Sequence, residues 1–100
     1  NFLFSNCALL KSIDFSYSEL SSVVYMNNMF SECTSLELVD FSSSLISSLI
    51  NIDEMFYGCS SLKSLDLSKF ITTSTTHMDR IFSGCSSLKY LDISNFNLEK

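Results

Sequence analysis

The stretch Met55-Phe56-Tyr57-Gly58-Cys59-Ser60-Ser61-Leu62-Lys63-Ser64-Leu65-Asp66-Leu67-Ser68-Lys69-Phe70 contains the pattern on which the whole chain is built. Its cysteine is one of four, at 7, 33, 59 and 85, a constant step of 26 residues. The same step carries Phe4, Phe30, Phe56 and Phe82 three residues before each cysteine, and Leu10, Leu36, Leu62 and Leu88 three residues after it. Asp14, Asp40, Asp66 and Asp92 follow in the same frame, each with a serine two positions on. A frame that never slips means that each period is one structural unit packed on the next. Residues 1–100 therefore read as a single repeat array of nearly four units, centred on Cys7, Cys33, Cys59 and Cys85.

Two periodicities meet inside a unit. Met26, Met29, Phe30, Cys33 and Leu36 are spaced 3, 1, 3 and 3, as are Ile52, Met55, Phe56, Cys59 and Leu62. That spacing predicts one apolar stripe of a short α-helix. The next residues alternate: Ile13-Asp14-Phe15-Ser16, Val39-Asp40-Phe41-Ser42, Leu65-Asp66-Leu67-Ser68 and Leu91-Asp92-Ile93-Ser94. Period two over so few residues predicts a short strand with one face buried. The remainder of each unit, such as residues 68–76, is rich in Ser and Thr and returns the chain to the next helix.

The run Leu62-x-x-Leu65-x-Leu67 reads as the L-x-x-L-x-L core of a leucine-rich repeat. The longer motif of residues 55–70, matched nearly as well by residues 78–97, resembles the BspA-like leucine-rich repeat family of bacterial and protist surface proteins. The first two units depart from it: Asn6 and Glu32 stand in place of the glycine, and Ser18 and Ser44 in place of the phenylalanine after the strand. The expected fold is thus an α/β leucine-rich-repeat solenoid of about four 26-residue coils, with a parallel sheet on the concave face and short helices on the other. The resemblance implies a non-catalytic protein-interaction or adhesion scaffold at the cell surface or secreted, with a host, matrix or neighbouring-subunit protein as partner. A structural element of a larger fibre or assembly, built by end-to-end stacking of coils, is the alternative. Free thiols and the lack of any N-x-[ST] sequon fit a cytosolic protein equally well.

Composition narrows the choices further. There is no Pro, only two Gly, and 22 serines, while 46% of residues are hydrophobic and the mean hydropathy is +0.25. This chain should fold, and it has no corners of the Pro/Gly kind. A net charge of −5, with six scattered Lys and Arg, argues against nucleic acid as a partner. No apolar run approaches the roughly 20 residues of a membrane span. The first residues, Asn1-Phe2-Leu3-Phe4, carry no leader pattern, and the chain reads as a segment of a longer array with neither end capped by a polar repeat.

No cofactor, metal or catalytic set emerges. The cysteines form no C-x-x-C pair, and His77 is the only imidazole. On neighbouring helices about 8–10 Å apart the cysteines would lie beyond disulfide reach, so they read as buried packing thiols. The chain is read as no enzyme. The outward strand positions are the candidate binding surface: the column Asp14, Asp40, Asp66 and Asp92, with Leu38 and Tyr90 where other units carry serine. In one continuous parallel ladder the four carboxylates would sit about 4.8 Å apart, forming a solvated face, a surface for a basic partner, or acceptors for adjacent strands. A linear row does not by itself supply the converging oxygens that Ca²⁺ needs. Residues Leu45, Ile46, Leu49 and Ile50 either bury a longer return segment or expose an apolar patch.

Overall fold

The computed structural model describes residues 4–16, 19–42 and 45–97. Ser18, Ser44 and Asn1, on which parts of the sequence reading fall, lie outside them. Where a helix is expected, residues 26–36 form a staircase of tight turns. The amides of Met29, Ser31, Cys33 and Leu36 bond to carbonyls three residues back, at 3.1–3.3 Å. The amides between them leave the segment: Met26, Asn28, Phe30 and Glu32 donate to the carbonyls of Asn51, Asp53, Met55 and Tyr57 in the next unit, at 3.0, 2.9, 2.9 and 2.6 Å. The same pattern joins Ile52, Glu54, Phe56 and Gly58 to His77, Asp79, Ile81 and Ser83.

Two left-handed residues in each of units two, three and four enforce this arrangement. Asn28 (φ 60°) and Glu32 (φ 64°) are followed one period later by Glu54 (54°) and Gly58 (74°), then by Arg80 (53°) and Gly84 (82°). A right-handed helix cannot run through a left-handed residue every fourth position. The 3, 1, 3, 3 apolar spacing is met all the same, because successive turns bring the same residues inward. No helix occurs among the described residues.

The strands are three residues long: β1 (Ser12–Asp14), β2 (Leu38–Asp40), β3 (Ser64–Asp66) and β4 (Tyr90–Asp92). They pair as two separate two-stranded parallel sheets, β1 with β2 and β3 with β4, each in the register of the 26-residue step. The α/β leucine-rich-repeat solenoid, with helices on one face and one continuous sheet on the other, is therefore not what this chain forms. The cause is local: the units bond through their turns, and the sheet is interrupted halfway. Isolated parallel bridges Tyr25 to Asn51, Asn51 to His77 and Ile46 to Phe70 add further links between units.

Identical side chains stack in the core. Phe4, Phe30, Phe56 and Phe82 form a column with centroid separations of 5.6, 5.4 and 6.3 Å and near-parallel rings, a geometry worth about 0.5–1.5 kcal/mol per pair beyond area burial. Beside them, the thiols of Cys33, Cys59 and Cys85 donate to the carbonyls of Phe4, Phe30 and Phe56 in the preceding unit, at 2.8, 3.1 and 3.2 Å. Each of these carbonyls also takes the amide of its own unit's cysteine. All four cysteines are free; Cys33 and Cys59 are buried and the outer two partly so. The apolar return segment is divided: Ile46 and Leu49 are fully buried, while Leu45 and Ile50 are exposed. Thr72 and Thr75 fill the equivalent buried positions one period on, where the Thr75 hydroxyl donates to the Leu49 carbonyl at 2.8 Å.

Candidate functional site

Each strand ends at its aspartate for a local reason. The Oδ1 atoms of Asp14, Asp40, Asp66 and Asp92 accept the amides of Ser16, Ser42, Ser68 and Ser94, at 2.7, 2.9, 2.9 and 3.0 Å. These Asx turns bend the chain out of the strand direction. The Ser16 hydroxyl, then its amide, holds the Asp14 carboxyl below the usual carboxylate value. Ser68 does the same for Asp66, with a smaller contribution from nearby Lys69. The repeated D-x-S motif is thus first a turn device.

The sheet is interrupted between β2 and β3. Phe15 donates to the Asp40 carbonyl and Leu67 to the Asp92 carbonyl, both at 2.8 Å, but the equivalent Phe41 amide has no acceptor among the described residues. Likewise Glu37 and Lys89 donate to Lys11 and Lys63, at 2.8 and 2.9 Å, whereas the Lys63 amide has no such acceptor. A groove of about 220 Å³ opens along this seam. Leu38 and Tyr90, more than half exposed, form apolar walls. Asp40 and Asp66 line it from either side, together with Phe41 and Lys69.

The interruption coincides with a change of core shape. Units one and two place a ring directly after the strand, where Phe15 and Phe41 stack at 5.3 Å. Units three and four carry Leu67 and Ile93 there, and their ring comes three residues later, at Phe70 and Phe96. Phe41 consequently meets Phe70 edge to face at 5.0 Å instead of stacking on a ring above it. The structure thus gathers four of the six sequence candidates, Asp40, Asp66, Leu38 and Tyr90, and leaves Asp14 and Asp92 outside the groove. Phe41 and Lys69 were not foreseen; the displacement of the phenylalanine between repeats was the signal.

The other reactive groups have structural surroundings. Burial pushes the Cys59 thiol up to about 12 and raises Cys33 and Cys85 as well, so the nucleophilic thiolate is suppressed. His77 is exposed, with Nδ1 at 2.9 Å from the Thr76 hydroxyl. Among the described residues no three His, Cys, Asp or Glu side chains converge on a point. No helix of the described residues is long and apolar enough to cross a membrane.

The chain belongs to the family described as Mycoplasma protein of unknown function, DUF285, which it matches over residues 1–100. No curated protein and no solved structure gives a significant match.

Proposed function

We propose that this member of the DUF285 family is a non-catalytic protein-interaction scaffold, and that the groove between β2 and β3 grips a basic side chain of its partner. The carrying observation is the convergence of Asp40 and Asp66 on a seam walled by Leu38 and Tyr90. Carboxylates attract the cationic head of Lys or Arg, while the apolar walls cover its methylene stem and the tyrosine ring offers a cation–π face. The Phe41 amide, which has no acceptor among the described residues, is a donor left over for a partner carbonyl at this groove-lining residue. An adhesion role at the cell surface or in secreted form extends this reading and draws on the sequence likeness to BspA-like surface proteins.

Fluorescence anisotropy with a short labelled peptide that mixes Arg or Lys with apolar residues tests the site. The double change Asp40→Asn with Asp66→Asn is expected to weaken binding about tenfold or more, as for loss of about 1.4 kcal/mol. The same change at Asp14 and Asp92 removes equal charge outside the groove and is expected to leave binding nearly intact. Equal losses for both pairs would reduce the effect to net charge, and no loss at Asp40 and Asp66 would overturn the site.

A further inference from the structure

Building on the proposal that the seam takes a basic side chain, we infer that this side chain is arginine and that Tyr90 selects it over lysine. The first residues of the four strands are Ser12, Leu38, Ser64 and Tyr90, small and large in turn. Ser64 and Tyr90 are register partners across β3 and β4. Leu38 holds the same position of β2, on the far bank of the seam. Ser64 is therefore a low floor between two large walls, and all three residues line the groove. Both walls are more than half exposed.

Two residues further along the strands, the two banks of the seam carry Asp40 and Asp66. At about 3.3 Å per residue, these aspartates lie roughly 6–7 Å beyond the row of Leu38, Ser64 and Tyr90. A channel with an apolar mouth and an acidic end at that distance fits the extended stem of a long cationic side chain laid along the strands. Charge agrees with this, because Asp40 and Asp66 share the groove with a single cation, Lys69, and the lining stays net negative. Length alone does not separate lysine from arginine, since both stems reach that far. The wall does. A guanidinium is planar, weakly hydrated and stacks on aromatic faces, whereas an ammonium is a compact, strongly hydrated point charge. The exposed Tyr90 ring beside the stem favours the planar group, and cation–π pairs in proteins are more often formed by Arg than by Lys. A carboxylate on each bank also suits a flat head whose five donors point in several directions.

Fluorescence anisotropy with two labelled peptides, identical but for one Arg or one Lys among apolar and uncharged residues, tests the selection. The native chain is expected to bind the Arg peptide about fivefold more tightly. Tyr90→Leu keeps an apolar wall and removes the ring. It is expected to bring the Arg peptide down to the Lys level and to leave the Lys peptide nearly unchanged. Ser64→Leu raises the floor and is expected to weaken both peptides about tenfold. The fold already carries leucine at this strand position, in Leu38, so both variants use a residue that the strand accommodates. Equal affinity of the native chain for the two peptides overturns the arginine assignment and leaves the basic-side-chain reading standing. An Arg preference that survives Tyr90→Leu, or binding that survives Ser64→Leu, overturns the assignment as well. Failure of both peptides to bind, or binding that ignores the double change of Asp40→Asn with Asp66→Asn, overturns the underlying reading and the arginine assignment with it.

Discussion

At the junction between units two and three, the turn side and the strand side behave differently. The turns keep every cross-unit bond from Met26, Asn28, Phe30 and Glu32, and the Phe and Cys columns pass through unbroken. A few residues away, β2 and β3 do not pair and the surface opens into a groove. Cohesion of the units therefore resides in the turns and their two columns, and the strand face can open without separating the units. A recognition surface can vary where it is not also the main attachment.

If that division holds, the largest loss comes from the column. Phe56→Ala removes a fully buried ring stacked on both sides, and is expected to lower unfolding free energy by about 3–5 kcal/mol in urea denaturation. An effect below that of Leu38→Ala on the groove wall would invert the comparison.

Next comes the left-handed position. Gly84 at φ 82° would bring an added Cβ to 3.1 Å from the Gly58 Cα and 3.2 Å from its nitrogen. Gly84→Ala is expected to cost roughly 1–2 kcal/mol, the usual penalty of that conformation for a residue with a side chain. Gly84→Asn should recover part of it, since Asn6 occupies an equivalent site. Thermal melts of the pair separate backbone strain from crowding, because Asn carries the same Cβ.

The thiol column is expected to contribute less per link. Cys59→Ala leaves the Phe30 carbonyl with only the Cys33 amide, a loss of about 1 kcal/mol. Native Cys59 should also resist alkylation near neutral pH, since its pKa of about 12 keeps it protonated. Rapid labelling under native conditions would contradict the burial that holds the column together.

The smallest effects belong to the strand face. Asp14 and Asp66 have folded pKa values lowered from 3.8, so they favour the folded state above that pH, and this contribution fades as pH falls through the lowered folded value. Melting temperature should drop slightly over that acid range, and Asp66→Asn should flatten part of the slope. Hydrogen exchange gives the sharpest reading without a mutation: the Phe41 amide should exchange faster than Leu67, its bonded counterpart. Equal protection would mean that the seam is closed in solution.

Much of this arrangement was legible in the residues. The 26-residue frame, the inward columns of Phe, Cys and Leu, the strand positions and the outward aspartates all follow from spacing, because a repeated side chain must meet its own copy. The helix was misread because turns and helices share the 3, 1, 3, 3 apolar spacing. The decisive signal was Asn6 and Glu32 standing where Gly58 and Gly84 stand, which marks a left-handed backbone position rather than a tolerated substitution. The sequence by itself determined the unit, its period and which side chains face inward. Only the tertiary structure decided that amides leave the unit for the next one, and that Phe41 meeting Phe70 edge-on coincides with a sheet divided between β2 and β3. Hydrogen-bond partners one period away and the fit of rings across a junction depend on the chain in three dimensions, which local spacing does not encode.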